Sequence, residues 1–146
     1  MSNWNEKFID LSDYVSKWSK DKRKKVGAVI TDKDNRILSL GYNGIPQGCN
    51  DNDETRDIKP KKNYFFAHAE ANAIYSCAKS GISTQDSTMY LSWYPCCNCT
   101  MAIIQSGIKR VVCIEPDWKD ESWGDSFKYS KEMLDEAKIE VIYHKK

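Results

Sequence analysis

His68, Glu70, Cys96 and Cys99 are the side chains whose types and spacing point to chemistry. Zinc takes nitrogen and sulfur ligands in tetrahedral geometry, and a catalytic zinc keeps one position open beside three protein ligands. His68, Cys96 and Cys99 supply three. Glu70, two residues past the histidine, lies close to such a metal without being needed as its ligand. A carboxylate there can relay protons for a water that the metal activates. Alone, His-x-Glu is a triplet that arises by chance, and Cys-x-x-Cys fits a redox pair or a structural half-site as readily. The combination carries the information. A closed structural site needs a fourth donor, and Cys97 is the nearest; but three cysteines from one tight turn converge with difficulty, and a closed site has no use for Glu70.

These residues need elements to hold them. Trp4, Phe8, Leu11, Val15 and Trp18 recur at three or four, which predicts an amphipathic helix ending near Lys20. Residues 26–30 and 36–40 are apolar runs facing each other across a polar turn, a hairpin. Residues 41–63 have neither helical nor strand periodicity and are expected to form a long loop, whose first half is a candidate for ligand contact. Helix-like and strand-like segments then alternate over 69–79, 88–92, 97–106, 110–114, 126–137 and 139–143. The expected fold class is α/β: a sheet covered on both faces, with the hairpin first and largely parallel pairing after it. Both halves of the motif fall where a connection enters a helix, whose first turn favours a thiolate over a thiol.

Composition narrows the class further. A chain of 146 residues fits one domain spanning 1–146. No apolar run is long enough to span a bilayer, and the first residues lack the basic and then apolar order of a secretory signal, so the expectation is a soluble, cytoplasmic protein with reduced thiols. Cys77 and Cys113 fall on apolar faces and are expected as buried core thiols. The net charge of +1 gives no overall attraction to a polynucleotide, which favours a small ligand. Lys20 to Lys25 is a basic run, most of it a solvated helix end, from which Arg23 or Lys25 is expected to face a phosphate.

His-x-Glu paired with Pro-Cys-x-x-Cys is a signature of zinc deaminases acting on nucleobases. Four stretches extend the likeness: Ser19-Lys20-Asp21 with Lys25 to Ile30, Gly41-Tyr42-Asn43-Gly44-Ile45-Pro46-Gln47-Gly48, His68 to Ile74, and Pro95 to Cys99. On these the chain resembles the deoxycytidylate (dCMP) deaminase family of the cytidine deaminase-like superfamily, over nearly its whole length. The resemblance implies a three-layer α/β/α fold around a five-stranded mixed sheet, one Zn2+ per chain, and deamination of dCMP to dUMP. It also implies a homo-hexamer with dCTP and dTTP as opposing effectors. Of the site residues, it implies Asn43 at the sugar, Tyr94 bordering the base, and Ala69 among the substrate contacts, although a core tyrosine fits Tyr94 equally.

The chain also departs from the family pattern. Residues 51–62 lack the extra Cys or His ligands of some members, and residues 116–125 lack the Tyr and Arg pattern of regulated ones. Trp118, Trp123, Phe127 and Tyr129 crowd a late segment and are expected at a subunit contact, with a core role equally open for Phe127. Competing functions are deamination of dCTP or a modified cytosine nucleotide, deamination of adenosine in tRNA, and a catalytically silent zinc module.

Overall fold

The computed structural model describes residues 3–145. Five strands form one mixed sheet in the order β2-β1-β3-β4-β5: β1 (Gly27–Thr31), β2 (Ile37–Tyr42), β3 (Thr88–Leu91), β4 (Arg110–Cys113) and β5 (Glu140–Tyr143). β1 is antiparallel to both β2 and β3, while β3, β4 and β5 are parallel. The hairpin turn uses Asn35 in the left-handed region, and Asp32 accepts the N–H groups of Asp34 and Arg36 to close it. Each parallel crossover carries a helix, as parallel pairing requires.

Side-chain alternation along the strands builds two cores. Val29, Tyr90 and Val112 face one way and pack beneath α1 (Trp4–Ser16) through Phe8 and Ile9. Ala28, Ile30, Met89, Leu91, Val111 and Cys113 face the other way, beneath α3 (Ala69–Ser80), α4 (Cys97–Gln105) and α5 (Gly124–Glu136). The result is the expected three-layer α/β/α architecture. β1 is buried along its whole length because it is central and covered on both faces, which is why residues 26–30 read as an unbroken apolar run.

Several expectations need correction. α1 stops at Ser16, short of Lys20; Trp4 at its first residue and Trp18 beyond its end are exposed, and the buried face instead takes in Ile9 and Ser12. β1 runs against the backbone of α1 because residue 27 is glycine: a Cβ on Gly27 would collide with the Ser12 carbonyl oxygen. Gly41 belongs to β2, and a Cβ there would meet the Ala69 carbonyl and lie 2.5 Å from the Ala73 nitrogen, so glycine lets β2 run against α3. The segment expected as a structureless loop holds a short 3-10 helix (Glu54–Asp57) and α2 (Lys62–Phe65). Of the four aromatics expected at a subunit contact, Phe127 is buried in the core, Trp118 packs on that core, and Trp123 borders a cleft; Tyr129 is exposed. Cys77 and Cys113 are buried, and none of the six cysteines forms a disulfide. Among the described residues no helix is long and apolar enough to cross a membrane.

Candidate active site

α3 and α4 begin side by side with unusual caps. Helices are normally started by Ser, Thr, Asp or Asn, whose side chains satisfy the first free N–H groups. Here the caps are His68 and Cys96, and neither side chain makes the usual capping hydrogen bond. Both side chains are therefore free to meet elsewhere, and they meet each other. Nδ1 of His68 lies 3.5 Å from Sγ of Cys96 and 3.3 Å from Sγ of Cys99, and all three ligand atoms fall within 4.8 Å. A tetrahedral zinc with its usual bond lengths separates nitrogen from sulfur by about 3.5 Å. The three residues therefore fit the metal.

Cys97 takes no part in this group. Its thiol donates to the Ser126 carbonyl at 3.1 Å and its N–H to Ser126 Oγ at 3.0 Å, which ties it to α5. Electrostatics distinguish the two cysteines that remain. The Cys96 thiol is drawn down to about 4, first by the hydrogen bond from Cys99 and then by that from His68. Cys99 is pushed up correspondingly, and the His68 ring is raised by its bond to Cys96. A divalent cation among the three atoms would replace the protons that they share. Glu70 is buried, and burial first and the charge on Cys96 second push its carboxyl up from 4.5 to about 7.

A family model for the cytidine and deoxycytidylate deaminase zinc-binding region matches residues 2–115. The chain belongs to this family. It is 40% identical over 146 residues to an uncharacterized deaminase of the luxG 3' region in Aliivibrio fischeri, covering 98% of this chain and 95% of that one. It is 35% identical over 122 residues to the deoxycytidylate deaminase of Homo sapiens, covering 80% of this chain and 67% of the human one. Among solved structures, the dCMP deaminase of the cyanophage S-TIM5 in complex with dCMP and dUMP superposes with a TM-score of 0.77 at 30% identity, over 95% of both chains.

In this deaminase the metal group lies in a cleft of about 500 Å³. Ala69, Glu70, Asn43 and Tyr94 all line it, as does Arg23. Tyr94 is at once a core and a cleft residue: its ring packs edge-on against Trp118 and Phe127 at 5.5 Å each. Lys25 is not brought to the cleft. Its ammonium donates to the Ser19 carbonyl at 2.7 Å, which turns the side chain into the turn after α1 and leaves it outside the cleft lining.

The structure adds cleft residues that sequence reasoning passed over: Lys59, Lys62, Trp93, Asp120 and Trp123. Trp93 adjoins Tyr94 and was within reach of the motif; its ring lies under Lys24 Nζ at 3.5 Å. Trp123 meets the His68 ring edge-on at 6.3 Å. Lys59 and Lys62 were hidden in a charged tract whose fold depends on distant partners.

Substituting a ligand should separate metal binding from folding. His68→Ala or Cys99→Ala protein, purified and assayed for zinc by atomic absorption, is expected to retain less than about a tenth of the wild-type content. It should keep its far-ultraviolet circular dichroism. Full zinc content in Cys99→Ala would contradict the ligand set.

Proposed function

We propose that the protein is a zinc-dependent hydrolase that converts dCMP and water to dUMP and ammonia, with one metal per chain. The observation that carries this reading is the convergence of His68, Cys96 and Cys99 beside buried Glu70 in a cleft large enough for a nucleotide. The dCMP and dUMP held by the cyanophage relative support the choice of substrate. Unpaired cysteines support a reducing, cytoplasmic setting.

His68, Cys96 and Cys99 hold the metal, which when bound supplies a Lewis acid that makes water nucleophilic at neutral pH. Glu70 accepts a proton from the attacking water and delivers it to N3 of the cytosine ring; it then takes the second proton from the hydroxyl now on C4 and passes it to the amine, which leaves as ammonia while C4 becomes a carbonyl. Ala69, the first residue of α3, has an N–H without a partner inside the helix and donates it to the ring carbonyl. Tyr94 and Trp123 confine the base, and Asn43 meets the sugar.

Charge bookkeeping selects the phosphate contacts. Lys20 pairs with Asp51, Lys22 with Glu54, and Lys62 with Asp21 and Asp57. Arg23 and Lys59 line the cleft and, among the described residues, pair with no acidic group. Both are left to bind the phosphate, Arg23 in a bidentate manner.

Assembly into a homo-hexamer, with dCTP and dTTP as opposing effectors, belongs to the same reading. The exposed row Tyr14, Trp18 and Tyr42, each ring edge-on to the next at 6.0 Å, supports assembly. Light scattering should give six times the chain mass, and a monomer at all concentrations would discard the assembly.

Glu70→Gln is expected to bind zinc normally and to lower kcat on dCMP by about 10²- to 10⁴-fold. Arg23→Ala should raise KM for dCMP by about 10-fold or more while leaving deoxycytidine kinetics within about two-fold. Ammonia release measured on both substrates checks these outcomes. An active Glu70→Gln enzyme, or equal losses on nucleoside and nucleotide, would overturn the corresponding assignment.

A further inference from the structure

Asp21 is a buried carboxylate that the chemistry above does not use. It stands in the turn between α1 and β1, 4% exposed, at the end of the Ser19-Lys20-Asp21 stretch. Its Oδ1 accepts the N–H groups of Arg23 at 2.8 Å and Lys24 at 3.1 Å, and the Lys62 ammonium at 2.7 Å. Its Oδ2 accepts one amide proton of Asn43 at 3.0 Å. Burial raises the Asp21 carboxyl, but these donors outweigh it and hold the group below the ordinary carboxylate value, so the side chain is an anion.

An ionised carboxylate only accepts hydrogen bonds, and this decides which way the neighbouring amide can face. Asn43 must turn its nitrogen to Asp21. The second proton on that nitrogen goes to the Lys24 carbonyl at 2.8 Å, and Oδ1 receives the Val26 N–H at 2.9 Å. Both amide donors are then spent inside the protein. What Asn43 can still offer a ligand is the remaining lone pair of Oδ1, an acceptor. Lys62 bridges Asp21 to Asp57 at 3.1 Å and thereby fastens α2, part of the cleft wall, to the same carboxylate.

We infer that Asp21 is a positioning residue, which fixes Asn43 as a hydrogen-bond acceptor in the cleft and so selects a nucleotide that carries a sugar hydroxyl. The inference rests on the reading that Asn43 faces the sugar. It adds a cause for that contact and a direction of hydrogen bonding. dCMP has one free sugar hydroxyl, and 2′,3′-dideoxycytidine monophosphate has none.

Asp21→Asn keeps the shape and inverts the logic. Three donors demand an oxygen at the Oδ1 position, so the new amide must turn its nitrogen toward Asn43, which can no longer keep its own nitrogen there. Dissociation constants for dCMP and for the dideoxy analogue are read from the tryptophan fluorescence, to which Trp93 and Trp123 of the cleft contribute, in zinc-loaded full-length protein. Every form, wild type at 21 and 43 included, carries Glu70→Gln so that dCMP is bound and not consumed, and turnover is measured separately with Glu70 in place. Wild type should prefer dCMP by at least about five-fold. Asp21→Asn and Asn43→Ala should each reduce the preference below about two-fold, and the double variant should reduce it no further. A preference that survives Asp21→Asn, both ligands being weakened alike, would reduce Asp21 to a structural role and overturn the inference. So would equal binding of the two ligands by wild type. Because the readout is binding, an intact preference without dCMP turnover counts against the proposed activity alone. A second measurement needs no variant: in ¹⁵N-labelled wild type, the Asn43 side-chain amide protons should exchange slowly and stay unperturbed when the product dUMP, which has the same sugar, binds, and their recruitment by the ligand would contradict the inference.

Discussion

Two helix starts share one point in this fold, and much of the site follows from that. α3 and α4 both direct their positive ends, with their unpaired N–H groups, at the place where His68, Cys96 and Cys99 meet. Two positive ends repel unless negative charge lies between them. Thiolate on Cys96 supplies it, and a metal-thiolate group supplies more. The cap positions thus trade the local gain of a Ser or Asp side chain for a shared centre. The chain order makes this possible, because β3 ends at Leu91, the chain turns through Pro95 into α4, and α4 packs against α3.

A second charge centre sits across the cleft. Asp21 gathers two backbone N–H groups, Lys62 and the Asn43 amide, joining the turn after α1, the end of β2 and the short α2. In the proposed function one centre activates water and moves protons, and the other holds the wall against which a nucleotide lies. Breaking either leaves a buried charge without its partners, which is costly in a way that exposed pairs such as Lys131 with Asp135 are not.

Much of this was legible along the chain, for identifiable reasons. The strands and the helices from 69 onward carry strong periodicity, and their observed bounds lie within two residues of those expected. His68, Glu70, Cys96 and Cys99 stood out because few arrangements need that chemistry at that spacing. Trp18 misled, since an aromatic residue at helical spacing extended α1 past the point where burial supports it. The tract around Glu54–Phe65 stayed illegible because its order comes from tertiary partners: Asp53 caps the 3-10 helix locally, but Lys62 needs Asp21, 41 residues away. Which of Arg23 and Lys25 faces the cleft was not legible, because adjacency in sequence does not show where a long side chain turns. Arg23, two residues earlier, lines the cleft while Lys25 closes a turn.

X-ray absorption at the zinc edge, on protein loaded with one equivalent of metal, tests the central claim most directly. Three protein ligands with one position left for water predict two sulfur scatterers at about 2.3 Å and two nitrogen or oxygen scatterers at about 2.0–2.1 Å. A third sulfur in the wild-type shell, brought in by Cys97, would close the site and contradict the account.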